Sequence, residues 1–128
     1  MLFICVGNAG RSQMAEAFFN HLARGKVQAT SAGTNPASRV DPTVIELMNE
    51  LGIDMSSHYP KKLTVEMLDT ADKIITMGCG VAQACPATLA ETEDWSIEDP
   101  KGQPKEKIRD IRDQIKARVE KLLQEMGI

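Results

Sequence analysis

The opening of the chain constrains the fold most, because an apolar run, a glycine-bearing turn and an amphipathic helix follow one another there without a gap. Residues 1–5 are typical of a buried strand, and residues 6–10 (Val-Gly-Asn-Ala-Gly) are typical of a tight turn. A helix is predicted from Ser12 to Arg24, with Gly25 as its stop. A strand that enters a helix in this way predicts the first half of a βα unit. The apolar face of that helix consists of Met14, Ala15, Phe18 and Leu22.

Cys5 and Arg11 lie on either side of this turn, with five residues between them. The backbone N–H groups of the turn and the free amides of the first helical turn point to one place, where the helix dipole adds positive potential. Arg11 adds a planar fork that matches two oxygens of a tetrahedral oxyanion. That field favours the thiolate, so Cys5 is expected to attack the central atom of a bound oxyanion. The predicted oxyanion-binding residues are Val6, Gly7, Asn8, Ala9, Gly10, Arg11 and Ser12.

Apolar periods of the strand and helix types alternate along the chain, which predicts an α/β fold with a four-stranded parallel sheet flanked by helices. Ligands bind at the carboxyl ends of strands in such sheets, and Cys5, Cys79 and Asp99 each follow a predicted strand. The predicted strands are residues 1–5, 26–31, 74–77 and 95–97, and the helices after the first are 42–51, 64–70 and 104–126, with Asp41 as a cap and Gly52 as a stop. The expected core residues of the second and last helices are Val44, Ile45, Met48, Leu51, Ile108, Ile111, Ile115, Val119, Leu122 and Met126.

Composition excludes several classes of function. The 128 residues suffice for one domain, and a net charge of -3 without blocks of like charge argues against nucleic acid or an anionic membrane as a partner. No apolar run approaches the ~20 residues of a membrane span and no charged leader is present, so a cytoplasmic protein is expected. The 3 cysteines favour thiol chemistry over a disulfide framework, and no pair has zinc-ligand spacing.

Three separated motifs carry a resemblance to a known family. They are the segment 5–17, the Ser-Ala-Gly-Thr of residues 31–34, and Asp99 with the proline that follows it. In this order and spacing the whole chain resembles the low-molecular-weight protein tyrosine phosphatase superfamily, which implies a three-layer fold. The thioredoxin-coupled arsenate reductases are the most similar members, because Cys79 and Cys85 follow the third predicted strand and Trp-Ser-Ile-Glu precedes Asp99.

The resemblance implies reduction of arsenate to arsenite, the chemistry of arsenic resistance, by a relay of three thiols. Cys5 would attack arsenic while Asp99 protonates the leaving oxygen. Cys79 would then attack Cys5, and Cys85 would attack Cys79 and leave a redox-active disulfide between Cys79 and Cys85. Thioredoxin or a similar protein would reduce that bond, and phosphate or sulfate would bind as analogues of arsenate. No cofactor or metal is implied, and a monomer is expected.

Two other functions stay open. A tyrosine phosphatase would use the same Cys5, Arg11 and Asp99, with water hydrolysing a phosphocysteine. Phosphatases of this superfamily usually place aromatic residues after Asp-Pro, whereas Lys101 and Gly102 stand here, which favours a small inorganic substrate. An oxyanion-binding or thiol-sensing module would bind the anion without turnover. Packing in the core is the competing interpretation of the second and third cysteines.

A cation site of some of these reductases is altered in this sequence. Asn8, Glu16 and Ser31 match three of its potassium-binding positions, but Lys61 stands where a fourth, acidic ligand is expected. The Lys61 ammonium is expected to take the place of the cation and pair with Glu16, which predicts no potassium requirement. The histidines at positions 21 and 58 have no partner at ligand or triad spacing, so surface or core positions are expected for them.

Overall fold

A computed structural model describes residues 1–77 and 91–128 of the chain. Its sheet contains four parallel strands in the order β2-β1-β3-β4, which confirms the predicted fold class. The second and third cysteines lie outside the described residues. The described elements are β1 (Leu2–Cys5), α1 (Arg11–Ala23), β2 (Thr30–Gly33), α2 (Pro42–Asn49), α3 (Val65–Thr70), β3 (Lys73–Thr76), β4 (Glu91–Asp94) and α4 (Lys105–Glu125).

The strand order reverses beside β1, and this reversal determines where a ligand-binding crevice can form. The chain leaves β1 for β2 on one side, whereas β3 pairs with the other side of β1 and continues to β4. In open α/β sheets a crevice forms outside the carboxyl ends of strands at such a switch point. Cys5 ends β1, and Met77 follows β3 with its N–H donating to the Ile4 carbonyl at 2.9 Å. The first residue after β3 therefore lies next to the end of β1.

The core lies on both faces of the sheet, because successive strand side chains point to opposite sides. On one face Phe3 packs in edge contact with Phe19 of α1, at a ring-centroid distance of 6.0 Å, and tilted against Trp95 at 5.7 Å. α1, α2 and α4 cover this face, and α3 covers the other, which gives three layers. Strand residues on the three-helix face are Phe3, Cys5 and Ile75, and those on the α3 face are Leu2, Ile4, Ala32 and Ile74.

Two strand predictions were wrong in position. Residues 26–29 are not part of β2, because the side chain of Asn20 takes both backbone polar groups of Ala29, at 2.7 Å and 3.0 Å, in place of a neighbouring strand. Residues 95–97 are not the fourth strand, because the Ile97 N–H turns back to the Trp95 carbonyl at 2.8 Å. Both Trp95 and Ile97 are nevertheless buried in the core, which accounts for their apolar character. Trp95, directly after β4, still donates its N–H to the Thr76 carbonyl of β3 at 2.7 Å. The fourth strand is the polar segment before them.

The second helix, α2, begins where Asp41 and Pro42 predicted. Asp41 accepts a hydrogen bond from the Thr43 N–H at 2.9 Å, and Pro42 is the first residue of α2. Leu47 faces the core in place of Leu51, because α2 ends at Asn49 and leaves Leu51 38% exposed. Ile45 is only partly buried, and Met126 lies beyond the end of α4 at 42% exposure. Among the described helices none has the length and apolar character needed to cross a membrane.

Candidate active site

The carboxyl end of β1 opens onto a cavity of about 490 Å³. Its floor is the Cys5 loop, residues 5–11, and its walls come from residues 35–42 and 99–101. Within the described part of the chain, no aromatic side chain lines this cavity. Tyr59 lies elsewhere, 65% exposed, with its ring 5.3 Å from the Lys61 ammonium. Among the described residues, the cavity therefore offers room for an anion on the Cys5 loop and no aromatic ring that could stack on a phenyl group.

Cys5 lies at the base of the cavity, with only 2% of its surface exposed. Its Sγ accepts a hydrogen bond from the Asn8 backbone N–H at 3.2 Å and lies 2.9 Å from the Ser12 Oγ. Asn8 Nδ2 donates to that same Oγ at 2.7 Å, so the Ser12 hydroxyl is left to donate its own proton to sulfur. Two hydrogen-bond donors therefore converge on one buried sulfur.

The backbone of the Cys5 loop is fixed by its carbonyl groups. The carbonyls of Val6, Gly7 and Ala9 each accept a hydrogen bond from the segment 35–41, all at 2.9 Å. In a planar peptide the N–H points away from the C=O, so these bonds turn the following N–H groups toward the cavity. Gly33 permits this close approach, because a Cβ there would lie 2.5 Å from the Val6 carbonyl oxygen. These hydrogen bonds hold the loop in one conformation without any ligand, as the predicted anion-binding role requires.

Asn8 holds the shape of the loop from inside. It is fully buried and has a positive φ of 49°, a conformation that asparagine tolerates better than most residues. Its Oδ1 accepts from the Lys61 backbone N–H at 2.8 Å, and since a backbone N–H can only donate, the orientation of the amide is determined. Nδ2 must then face Ser12, as the bond described above requires.

Arg11 is 5% exposed and is held from behind by two carbonyl groups. Its Nη1 donates to the Met77 carbonyl at 2.8 Å and to the Ile97 carbonyl at 3.1 Å. Its Nη2 lies 3.8 Å from Asp99 Oδ2. One guanidinium thus joins the Cys5 loop, the end of β3 and the segment before Asp99.

Asp99 stands at the rim, and its side chain is 58% exposed. Its Oδ1 accepts from the Lys101 backbone N–H at 3.0 Å, which is a turn contact within its own segment. Pro100 packs on the Cys5 loop, because its Cγ would lie 3.0 Å from a Cβ at Gly10. The structure thus brings Cys5, Arg11 and Asp99 to one cavity, and their chemical roles stay predictions.

A second polar cluster lies behind the Cys5 loop. Glu16 is 8% exposed, accepts a hydrogen bond from the Ser31 hydroxyl at 3.2 Å, and has the Lys61 ammonium 3.6 Å from its Oε1, as predicted. His58 Nδ1 lies 3.3 Å from Glu16 Oε2 and 3.0 Å from Gln13 Oε1, and the sequence analysis predicted neither partner. Sequence spacing could not reveal this, because the partners come from a helix more than forty residues away. Independence from potassium stays a prediction.

Sequence reasoning also missed two residues of the site. Gln13 is fully buried and contacts both the Asn8 side chain and the 58–61 segment, and its position directly after Ser12 was the one available signal. Arg39 lines the cavity at its exposed mouth, and nothing in the sequence around it marks it. No cluster of potential metal ligands occurs in residues 1–77 and 91–128.

Comparison with known proteins agrees with this geometry. The family model described as low molecular weight phosphotyrosine protein phosphatase matches residues 1–127. The chain therefore belongs to the low molecular weight phosphotyrosine protein phosphatase family. A curated relative, the glutaredoxin arsenate reductase of Synechocystis, is 42% identical over 125 residues, which cover 96% of this chain and 95% of that protein.

Solved structures give the same picture. An arsenate reductase in the phosphate-binding state superposes with a TM-score of 0.81 at 39% identity, covering 97% of this chain and 95% of that one. The thioredoxin-dependent arsenate reductase of Corynebacterium glutamicum superposes with a TM-score of 0.85, also at 39% identity. That match covers 98% of this chain, which spans 60% of the Corynebacterium chain. With the family match, these relatives identify the chain as an enzyme.

Proposed function

We propose that the chain reduces arsenate to arsenite, with Cys5 as the nucleophile and Cys79 and Cys85 as the thiols that complete the reduction. The observation that carries the proposal is the buried Cys5 sulfur with its two donors, at the base of a cavity lined by Arg11 and by no aromatic side chain among the described residues. Arsenate has the tetrahedral shape and charge that such a loop binds. The arsenate reductases among its relatives support the choice of substrate.

The first step forms a covalent adduct. The Cys5 thiolate attacks arsenic, a sulfur–arsenic bond forms, and one As–O bond breaks. Asp99 supplies the proton with which the departing oxygen leaves as water instead of hydroxide. The loop N–H groups and Arg11 stabilise the charge on the remaining oxygens. Arsenic stays pentavalent in this adduct.

The second step carries the reduction. The Cys79 thiolate attacks the Cys5 sulfur, the sulfur–arsenic bond breaks, and its electron pair stays on arsenic, which leaves as trivalent arsenite. Cys5 and Cys79 are then joined by a disulfide, which accounts for the two electrons gained by arsenic. Cys85 attacks the Cys79 sulfur, releases the Cys5 thiolate and moves the oxidation to a Cys79–Cys85 disulfide. Met77 lies beside the end of β1, and Cys79 follows Met77 by two residues in the sequence. This supports Cys79 as the thiol that attacks Cys5 first.

The proposed reductant of that disulfide is a thioredoxin-like dithiol protein. The thioredoxin-dependent relative from Corynebacterium supports this choice, and the glutaredoxin relative from Synechocystis names the competing system. Supplying each reductant in turn, with arsenite release followed over many turnovers, separates the two. Multiple turnovers with thioredoxin alone are expected. If turnover requires glutaredoxin and a small thiol, these reductants take the place of thioredoxin in the proposed reaction.

The relay is tested by mapping disulfides after one turnover with arsenate and no external reductant. The intact chain is expected to yield one arsenite and a Cys79–Cys85 disulfide per molecule. In Cys85→Ser the relay should stop at Cys5–Cys79 with arsenite still released, and Cys79→Ser should release none. Three free thiols and no arsenite from the intact chain would refute the relay.

Phosphate monoester hydrolysis is the second candidate function, and the family match favours it. It needs only Cys5, Arg11 and Asp99, which all lie in the described cavity, with water replacing Cys79 as the second nucleophile. Cys79→Ser again discriminates, because a reductase loses arsenite production and keeps any ester hydrolysis. If the intact chain turns over phosphoesters and yields no arsenite, the phosphatase assignment replaces the reductase.

A further inference from the structure

Two exposed cations that no step of the proposed reaction uses stand at the mouth of the cavity. Arg39 belongs to the wall formed by residues 35–42, and Lys101 belongs to the wall formed by residues 99–101. Within residues 1–77 and 91–128, neither side chain forms an ion pair or a side-chain hydrogen bond. Their charges therefore face the cavity and solvent without a described carboxylate to neutralise them.

The other charges around the cavity are each balanced locally. Among the described residues the charged side chains that line it are Arg11, Arg39, Lys101, Asp41 and Asp99. Asp41 caps the N-terminus of α2, where the helix dipole offsets its negative charge. Asp99 lies 3.8 Å from Arg11, and as the proposed acid it carries a proton when the anion is attacked. The unbalanced charge at the mouth is therefore that of Arg39 and Lys101, and it is positive in a chain whose net charge is -3.

The substrate and the product of the proposed reaction differ in charge. Arsenate is an anion near neutral pH, and a large share of it carries two negative charges, whereas arsenite is the uncharged acid. Cations at the mouth of a cleft raise the local concentration of anions and the rate at which they are captured. The same cations give an uncharged molecule no such attraction. A positive mouth therefore favours the entry of arsenate without retaining arsenite.

We propose that Arg39 and Lys101 determine specificity by charge, in that they draw the arsenate dianion into the cavity and leave uncharged arsenite free to depart. Arg11 has a different task, since it is 5% exposed and held by two carbonyls at the level of the Cys5 loop. The two exposed cations act before contact, through the potential at the mouth. The inference rests on the proposed function in that the anion is taken as arsenate.

The test compares two alkylating agents in a Cys79→Ser, Cys85→Ser background that leaves Cys5 as the one thiol. Iodoacetate is an anion and iodoacetamide is neutral, and both lose iodide to the attacking sulfur. The ratio of their rates therefore measures the potential along the path to Cys5 and cancels any change in the thiol itself. In Arg39→Gln, Lys101→Gln this ratio is expected to fall about tenfold at an ionic strength of about 0.01 M. At about 1 M salt, where the screening length is about 3 Å, the difference should vanish.

Inorganic phosphate supplies a second measurement on the same preparations. Phosphate bound on the Cys5 loop should slow alkylation by iodoacetamide, and the concentration that halves the rate is expected to rise about tenfold in Arg39→Gln, Lys101→Gln at low salt. The charge-conserving variant Arg39→Lys, Lys101→Arg should restore most of both effects.

Arg118→Gln, Lys121→Gln is the matched control, because it removes the same two residue types from exposed positions of α4 that do not line the cavity. A ratio in Arg39→Gln, Lys101→Gln equal to that of this control would overturn the inference, and so would a difference that persists at high salt. Alkylation requires no arsenate turnover. A negative result here therefore leaves arsenite production by the intact chain untouched, whereas loss of that activity overturns the proposed function and leaves the measured selection for anions standing.

Discussion

The Cys5 loop and the Asp99 segment meet across one cavity and are built in opposite ways. In the loop the Cys5, Asn8 and Arg11 side chains are buried, and hydrogen bonds to the segments 35–41 and 58–61 hold its backbone and the Asn8 side chain. Asp99 is 58% exposed, held by a turn contact to Lys101, and 3.8 Å from Arg11. A nucleophile must hold its ionisation state and geometry, whereas an acid must reach a leaving group and exchange its proton with solvent. In the proposed reaction, folding therefore holds the nucleophile Cys5 in place and leaves the acid Asp99 accessible to solvent.

Asp99→Asn should have the largest effect, a loss of turnover with little change in stability. It tests whether the exposed Asp99 segment serves the reaction and not the fold. Loss of a general acid costs about 10²–10⁴-fold in turnover, while an exposed substitution changes stability by no more than about 0.5 kcal/mol. Single-turnover rates with arsenate and urea unfolding of the same preparation measure the two quantities. Equal turnover of the variant and the parent would remove Asp99 from the reaction.

Gly33→Ala should displace the Cys5 loop and lower the stability of the protein. Its Cβ would lie 2.5 Å from the Val6 carbonyl oxygen and 3.0 Å from the Asn8 Cβ, so the loop must shift at a cost of about 1–3 kcal/mol in the free energy of unfolding. Gly7→Ala, within the loop itself, meets nothing within 4 Å and is the matched control. Denaturant unfolding should separate the two variants. Equal stabilities would show that the loop is not held by this approach.

Substitution of Glu50 should have the smallest effect of the three. Glu50 stabilises the fold away from the cavity, so it is a reference for both the Cys5 loop and the Asp99 segment. It joins the end of α2 to α4, and hydrogen bonds from Arg109, with Arg112, lower the pKa of Glu50 from 4.5 to about 2. Its contribution to stability is therefore complete above about pH 4.5 and is lost as the pH falls toward 2.

Glu50→Gln should lower the unfolding midpoint slightly at neutral pH, and its difference from the parent should vanish as the pH falls through that window. Glu46→Gln is the control, because its partner Lys105 is exposed and the pair is solvated. Alkylation of Cys5 should be unchanged in both. A midpoint difference that grows on acidification would contradict the assignment.

The sequence predicted the parts that local chemistry specifies. The strand, turn and helix around Cys5, the Asp41 cap and the long last helix followed from apolar period and capping residues. Residues 95–97 were misassigned because burial in a loop and burial in a strand give the same apolar pattern. His58 and Gln13 are brought into contact only by the tertiary fold, so their spacing in the sequence does not predict the contact. Motif order could identify the site, but only the fold could reveal what supports it.

Arg11 carries a consequence for binding thermodynamics. A free arginine side chain loses about 2 kcal/mol of rotamer entropy when it is immobilised on a ligand. Here the carbonyls of Met77 and Ile97 already immobilise it, so that loss falls on the folding reaction, and an anion bound to Arg11 as proposed would not bear it. Affinity for an anion bound in this way would depend on the backbone at Met77 and Ile97. Variants that loosen the carboxyl end of β3 should bind more weakly well before they unfold.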